Sequence, residues 1–273
     1  MLPGARRRAE AHQRPSPAVP AMKAYAINLD GETQRWERLL ARFAPLGIEP
    51  ERVPGVDGRA LTLPHPMFDE AAYERYHGRR IAMGKVGVFQ SQIRMIRRFH
   101  GSDPARTGEA ALFLEDDVRP EPDLPGVLAA AMEQRRHWDV LRLSGLSEAK
   151  PLKLAPLTER HHLALTCDRL KGAGGYLMNR RAAAVFAERV PPQWLPWDHH
   201  IDREWWFGLK AARVRPFPID QTGHSLGSST SDGKPAAKQK LPAWRRWATT
   251  YPYQTVNDGA RWAVKLTRRA AGR

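Results

Sequence analysis

The chain has 273 residues, 42% of them hydrophobic, and its 44 Lys and Arg outnumber 29 Asp and Glu for a formal net charge of +15. That length supports a proper hydrophobic core, in one large domain or two small ones; the single cysteine, Cys167, excludes an intramolecular disulfide; and no apolar run approaches the roughly 18 residues of a membrane span. The basic excess favours a polyanionic partner: an anionic membrane face, a phosphorylated substrate or nucleic acid.

Met1 to Ala21 is rich in Arg, Pro and Ala without the apolar middle of a signal peptide. Residues 1–22 therefore read as a disordered leader, with Met22 as an alternative start. Ordered sequence is expected from Lys23. Ala24 to Leu29 (AYAINL) has the character of a strand that breaks at Asp30-Gly31, and a helix follows in which Thr33 is placed to cap and Trp36, Leu39, Leu40 and Phe43 recur at helical spacing. Arg52 to Gly58 (RVPGVDG) reads as a short strand and an Asp-Gly turn. Leu61 to Gly78, with its prolines and histidines, receives no assignment, and Val86 to Phe99 reads as a helix.

Ala110 to Pro120 (AALFLEDDVRP) is the stretch on which the chain turns. Ala111 to Leu114 has the character of a short buried strand, and Glu115, Asp116 and Asp117 arrive where it leaves the sheet. Burying three adjacent carboxylates is prohibitive unless something positive meets them. Such acids suit a divalent cation that in turn holds a diphosphate; the alternative is a plain turn before Pro120 that caps the next helix.

Beyond it, Leu124 to His137 reads as an Ala-rich helix and Val140 to Leu143 as a strand ending at Ser144-Gly145. Lys150 to Leu165 reads as a loop with at most one strand. Lys171 to Gly175 (KGAGG) approaches a strand at Tyr176 to Met178, and Asn179 is placed to cap a helix over 180–189. Pro191 to Trp206 is dense in Pro, Trp, Asp and His, and Phe207 to Pro218 supplies a last helix-to-strand step. Strands alternating with helices predict an α/β sandwich with a largely parallel sheet, whose ligands lie outside the carboxyl ends of the strands. After Gly223 the composition shifts. Residues 223–273 form a basic tail that interleaves Trp244, Trp247, Tyr251, Tyr253 and Trp262 with arginines and lysines. Those residue types suit peripheral contact with an anionic bilayer, or equally an unengaged basic tail; nucleic acid uses the same residues but ranks lower.

Four stretches, in this order over Ala24 to Pro218, resemble glycosyltransferase family 25, which includes lipooligosaccharide and collagen galactosyltransferases. They are INLD at Ile27 to Asp30 with Arg35 and then VPGVDG at Val53 to Gly58; GKVGVFQSQ at Gly84 to Gln92; the acidic strand end at Leu112 to Val118; and GGYLMNRRAAA at Gly174 to Ala184 leading to Trp197 to Arg203. The second departs from the family pattern, with Lys85, Val88 and Gln92 where the family carries Glu, Cys and His. Gln92 can hydrogen-bond but cannot take a proton near neutral pH.

The resemblance implies a GT-A-like nucleotide-sugar-binding fold over residues 23–222, a UDP-sugar donor, a glycan or glycolipid acceptor, inversion at the anomeric carbon, and manganese or magnesium. It implies Asp117 as a metal ligand, Glu115 as a second, and Asp116 as a contact to the donor. Asn28, Asp30 and Arg35 are expected beside the nucleotide, and Ser144, Gly174 and Gly175 beside the donor sugar. Asp198 is expected to be the general base, with Asp202 as the alternative, while His199 and His200 offer further ligands. Trp194, Trp197, Trp205 and Trp206 are stacking surfaces for sugar rings or core residues. His224 is expected as a further metal ligand and, with Ser228 to Thr230, to close over the diphosphate. The setting expected is cytoplasmic, peripheral on a bacterial inner membrane. The competing readings are a non-catalytic polyanion- or membrane-binding protein on a transferase scaffold and, last, a metal phosphoesterase, for which no second acidic cluster is evident.

Overall fold

The computed structural model describes residues 22–146, 152–165, 167–221 and 240–270; residues 1–21, expected to be a leader, and His224 with Ser228 to Thr230 lie outside them. An eight-stranded sheet runs through the molecule in the order β2-β1-β3-β8-β5-β9-β7-β6. Its strands are β1 (Lys23–Asn28), β2 (Glu51–Pro54), β3 (Ala110–Glu115), β5 (Val140–Arg142), β6 (Leu152–Pro156), β7 (His162–Leu165), β8 (Gly175–Asn179) and β9 (Ala211–Arg215). The pairings give β1, β2, β3, β5, β6 and β9 one direction, with β8 and β7 reversed. The sheet is thus the largely parallel one expected, in an α/β sandwich consistent with a GT-A-like fold.

Alternation along the central strands builds the layers. Tyr25, Phe113, Tyr176 and Met178 enter one core with Phe89, Ile93, Ile96 and Phe99 of α3 (Met83–His100) and Phe186 of α6 (Arg180–Glu188). Ala24, Ala26, Leu112, Leu114 and Leu177 enter the other with Leu39 and Phe43 of α1 (Thr33–Phe43) and Leu124, Val127 and Leu128 of α5 (Leu124–Glu133). The two-residue period of a strand sends neighbours to opposite faces, so strands apolar at every position require helices on both sides.

Several local expectations change. Thr33 opens α1 but does not cap it; Glu32 holds the cap position and makes no side-chain cap bond. The stretch left without assignment contains α2 (Glu70–His77), capped by the Asp69 side chain accepting from Ala72 N, and it buries only Tyr73. That single buried residue explains why periodicity does not show the helix. The stretch expected to be a loop folds into the edge hairpin β6-β7, with a register shift between Lys153 and Ala155. Asn179 caps α6 as expected, its Oδ1 accepting from Ala182 N at 2.9 Å.

Two of the quoted stretches meet backbone to backbone. A Cβ on Gly87 of α3 would lie 2.7 Å from Gly58 N, with Val56 O closer still, and Val56 N donates to Ser91 Oγ at 2.8 Å. Helix α3 therefore starts against VPGVDG. Alanine normally stabilises a helix interior over glycine by about 1 kcal/mol, but Gly87→Ala is expected to lose roughly 1–3 kcal/mol because the obstacle is backbone. Urea unfolding checks the sign.

The register brings the chemistry to one edge. Ile27 pairs with Glu115 and Asn28 with Pro54, so β1, β2 and β3 end together. Gly175, at the start of reversed β8, pairs with Leu114. A separate antiparallel pair, β4 (Val118–Pro120) with β10 (Ile219–Gln221), sets Gln221 opposite Val118, at the same edge as Glu115.

Candidate functional site

A cleft of about 930 Å³ opens at this edge, lined by Glu115, Trp197, Asp198, His199, His77 and Gln221 and by the cations Arg79, Lys85, Arg169, Lys171, Lys240 and Arg246. Glu115 ends β3 inside it. Its Oε1 accepts from Gln92 Nε2 at 3.3 Å and its Oε2 from Gln221 Nε2 at 3.4 Å. Gln92 is fully buried and takes the Tyr176 hydroxyl on its own Oε1 at 2.7 Å. The departure at position 92 therefore supplies a fixed amide donor to the acid. Burial first, then Asp117 and Asp116, push the Glu115 carboxyl up to about 8.

Asp116 and Asp117 form the turn between β3 and β4. Asp116 Oδ2 accepts from Asn28 Nδ2 at 2.7 Å, and Arg35 Nη2 lies 3.0 Å from Asp116 Oδ1 and 3.5 Å from Asp117 Oδ2. Burial raises the Asp116 carboxyl, with Asn28 and Arg35 opposing. Asn28 also donates to Glu32 O and accepts from Arg52 Nε, while the exposed Asp30 pairs with Arg52 at 2.7 Å. Asn28, Arg35 and Asp116 thus form one bonded group under the strand ends, with each Asp116 oxygen engaged inside the protein.

Asp198 sits in the first turn of α7 (Trp197–Ile201), facing the cleft; its Oδ1 accepts from His199 N at 3.1 Å and its Oδ2 from Gly172 N at 3.4 Å. Asp202, one turn on, lies beneath the cleft. It pairs with the buried Arg142 at 3.2 Å and accepts from Leu170 N at 2.5 Å; burial pushes it up to about 6, against the pull of Arg142. Ser144 is fully buried, its Oγ accepting from Gly175 N at 2.8 Å. The space beside Gly174 and Gly175 is not open for a sugar: a Cβ would meet Gln221 Cγ at 2.6 Å and Ile219 Cδ1 at 2.8 Å respectively. These glycines admit β10 against β8.

The histidines divide. His200 is buried and its Nε2 accepts from Leu195 N at 3.2 Å, so it serves the fold and offers no lone pair to a metal. Burial, then Arg203 and His199, hold it down to about 3. His199 packs its ring edge-on to His77, centroids 5.3 Å apart, and burial lowers it although Asp198 opposes. His77 is held down to about 2, chiefly by burial. The sign for His200 follows: a base depressed on folding contributes stability that is present above its unfolded value near 6.5 and lost as pH falls toward 3. A His200→Gln variant, which keeps an acceptor but does not titrate, is expected to gain on the parent by up to about 1.4 kcal/mol per pH unit in that window. Denaturant unfolding at several pH values reads the difference.

Of the four tryptophans, Trp197 lines the cleft while packing on Phe89 and Phe186; Trp205 is buried, Trp194 packs under Arg203, and Trp206 is exposed. His77, Gln221 and the cleft cations are not legible as site residues in the sequence, Lys85 standing there only as a departure from the family pattern. They come from separate elements, including the C-terminal helical segment, and only the overall basic excess signals them. Among the described residues no group of three or more His, Cys, Asp or Glu is placed to hold a metal ion. A magnesium- or manganese-type ion carrying phosphates and water needs only one or two carboxylates; Glu115 lines the cleft, whereas Asp117, close enough to raise the Glu115 carboxyl, stands 3.5 Å from Arg35 Nη2 and is not among the cleft-lining residues.

No family model matches the chain. Among curated proteins it is similar to a glycosyltransferase 25 family member of Drosophila melanogaster, 31% identical over 238 residues, covering 74% of this chain and 36% of that one. A second, from Drosophila pseudoobscura pseudoobscura, is 26% identical over 232 residues, 74% of this chain and 35% of the relative. A third, from Aedes aegypti, is 30% identical over 125 residues, 43% and 20% of the two chains. The chain thus spans between a fifth and just over a third of the length of these relatives, and their names specify no sugar, metal or membrane.

Proposed function

We infer that this chain, as a relative of glycosyltransferase 25 family members, is a glycosyltransferase that moves a hexose from a UDP-sugar to a glycan or glycolipid hydroxyl with inversion. The observation that carries this reading is the cleft itself: two half-buried acids, Glu115 and Asp198, lining one cavity with six cations. A departing nucleoside diphosphate develops negative charge, and fixed cations in a partly desolvated cleft stabilise it. An acceptor hydroxyl must lose a proton, and Asp198 is the carboxylate facing the cleft that is positioned to take it. The base assignment therefore rests on Asp198, because Asp202 is enclosed against Arg142 and Leu170 N.

Asp117 with Glu115 would hold the cation, which when bound supplies Lewis-acid neutralisation of the diphosphate. Asn28, Arg35 and Asp116 act by holding the β1 and β3 ends together beneath it. Galactose as the sugar and a bacterial membrane-surface glycan as the product are the specific forms proposed.

Turnover of a panel of UDP-sugars, with and without manganese, tests the reading. Asp117→Ala is expected to abolish manganese-dependent turnover while the melting temperature holds. Undiminished turnover in that variant would remove Asp117 from the metal, and no turnover of any nucleotide sugar by the parent would remove the activity.

A further inference from the structure

The helix α9 (Tyr251–Ala270) is partly inverted: its two buried side chains are the cations Arg261 and Lys265, while Val256, Trp262 and Leu266 face solvent. Arg261 is buried, donating to Cys167 O at 2.6 Å and pairing with Asp258 at 3.0 Å; Lys265 reaches the buried Glu204 at 2.8 Å; Arg268 donates to Leu209 O. The exposed positions include Val256 (71%), Trp262 (42%) and Leu266 (42%), with Pro252 before them, Gly259 and Ala263 between them, and Thr255 and Thr267 beside them. Arg269 is the one charged residue among the exposed positions of α9.

The stripe continues upstream. Helix α8 (Ala243–Arg245) and the π-helical turn Arg246–Thr250 lead directly into α9, exposing Trp244 (70%) and Trp247 (71%). From Trp244 to Leu266 the exposed apolar positions recur mostly every three or four residues, with one step of five from Trp247 to Pro252 across the π-helical turn, which keeps them on one side of the segment. At 1.5 Å per residue it is about 33 Å long. Exposed Lys240 and Arg245 stand at one end and Arg269 at the other.

A soluble helix normally shows the reverse arrangement. Covering this stripe with water leaves three indole rings exposed while four charged residues are engaged inside the protein. Indole rings settle at the lipid-water boundary, and cations at the ends of such a face meet anionic head groups. The net charge of +15 supplies the matching long-range attraction.

We propose that the stripe from Trp244 to Leu266 docks the protein flat on an anionic lipid bilayer. The other side of the same segment gives Arg246, Thr250, Tyr251 and Gln254 to the cleft. Docking therefore sets the cleft beside the lipid surface, where a glycolipid acceptor would lie. Only that last consequence rests on the proposed transferase activity; the docking does not.

Co-sedimentation of the full chain with phosphatidylcholine vesicles, with and without phosphatidylglycerol, tests it. The parent is expected to bind the anionic vesicles, less so at high salt. Joint Trp247→Ala and Trp262→Ala substitution is expected to weaken binding by roughly tenfold or more, with the melting temperature and turnover of a soluble acceptor unchanged. Equal binding by parent and variant would overturn the proposal, as would no binding by the parent. A dimer in sedimentation equilibrium that the double variant dissolves, without vesicle binding, would reassign the face to a second copy of the chain.

Discussion

An Asp198→Asn protein is expected to bind its nucleotide sugar as well as the parent does and to transfer the sugar roughly a hundred- to ten-thousandfold more slowly. Asparagine keeps the shape of the side chain and one oxygen acceptor for the His199 or Gly172 amide that Asp198 now engages. What it loses is the ability to accept the acceptor hydroxyl's proton. The loss should therefore fall on kcat, with KM for the donor and the melting temperature little changed, and single-turnover assays separate the terms. A variant that keeps its kcat would move the base elsewhere in the cleft.

The second large effect is on stability. Arg142 is 2% exposed and pairs with Asp202 between the end of β5 and the end of α7. Arg142→Met leaves the Asp202 carboxylate buried without its cation, a change worth about 3–5 kcal/mol in comparable pairs. Burial already raises the Asp202 carboxyl and Arg142 is the first group opposing it, so losing Arg142 raises it further and the variant bears the cost of a buried acid without that cation. The double variant Arg142→Met with Asp202→Leu removes both charges and is expected to recover much of the loss. Urea unfolding of the three proteins reads the cycle. If Asp202→Ala instead abolished transfer at unchanged stability, Asp202 would be acting on substrate and the assignment to Asp198 would fail.

Arg142 and Asp198 also show where reading the chain alone runs out. Trp197-Asp198-His199-His200-Ile201-Asp202 looks like one polar cluster in sequence. In the fold a short helix turns its members different ways: Asp198 and His199 to the cleft, His200 to the Leu195 amide, Asp202 to Arg142. A helical turn of about 3.6 residues separates neighbours by direction, and which direction meets solvent depends on elements far away in sequence. The glycines behave alike. Gly174 and Gly175 are legible as small, but only the packing of β10 shows that Gln221 and Ile219 occupy the room they leave.

From the sequence by itself come the α/β class, the buried strand at Ala111 to Leu114, the Asn179 cap, and the position of Asp30, Glu115 and Ser144 at or just past strand ends. Each is local: alternation, capping chemistry and apolar runs are written in adjacent residues. The tertiary structure alone decided that Gln92 holds Glu115, that six cations from stretches far apart in the sequence line one cleft, and that helix α9 turns Arg261 and Lys265 inward. These depend on which distant surfaces meet. Burial and partner, rather than residue type, determine whether a carboxylate or an arginine is structural or chemical.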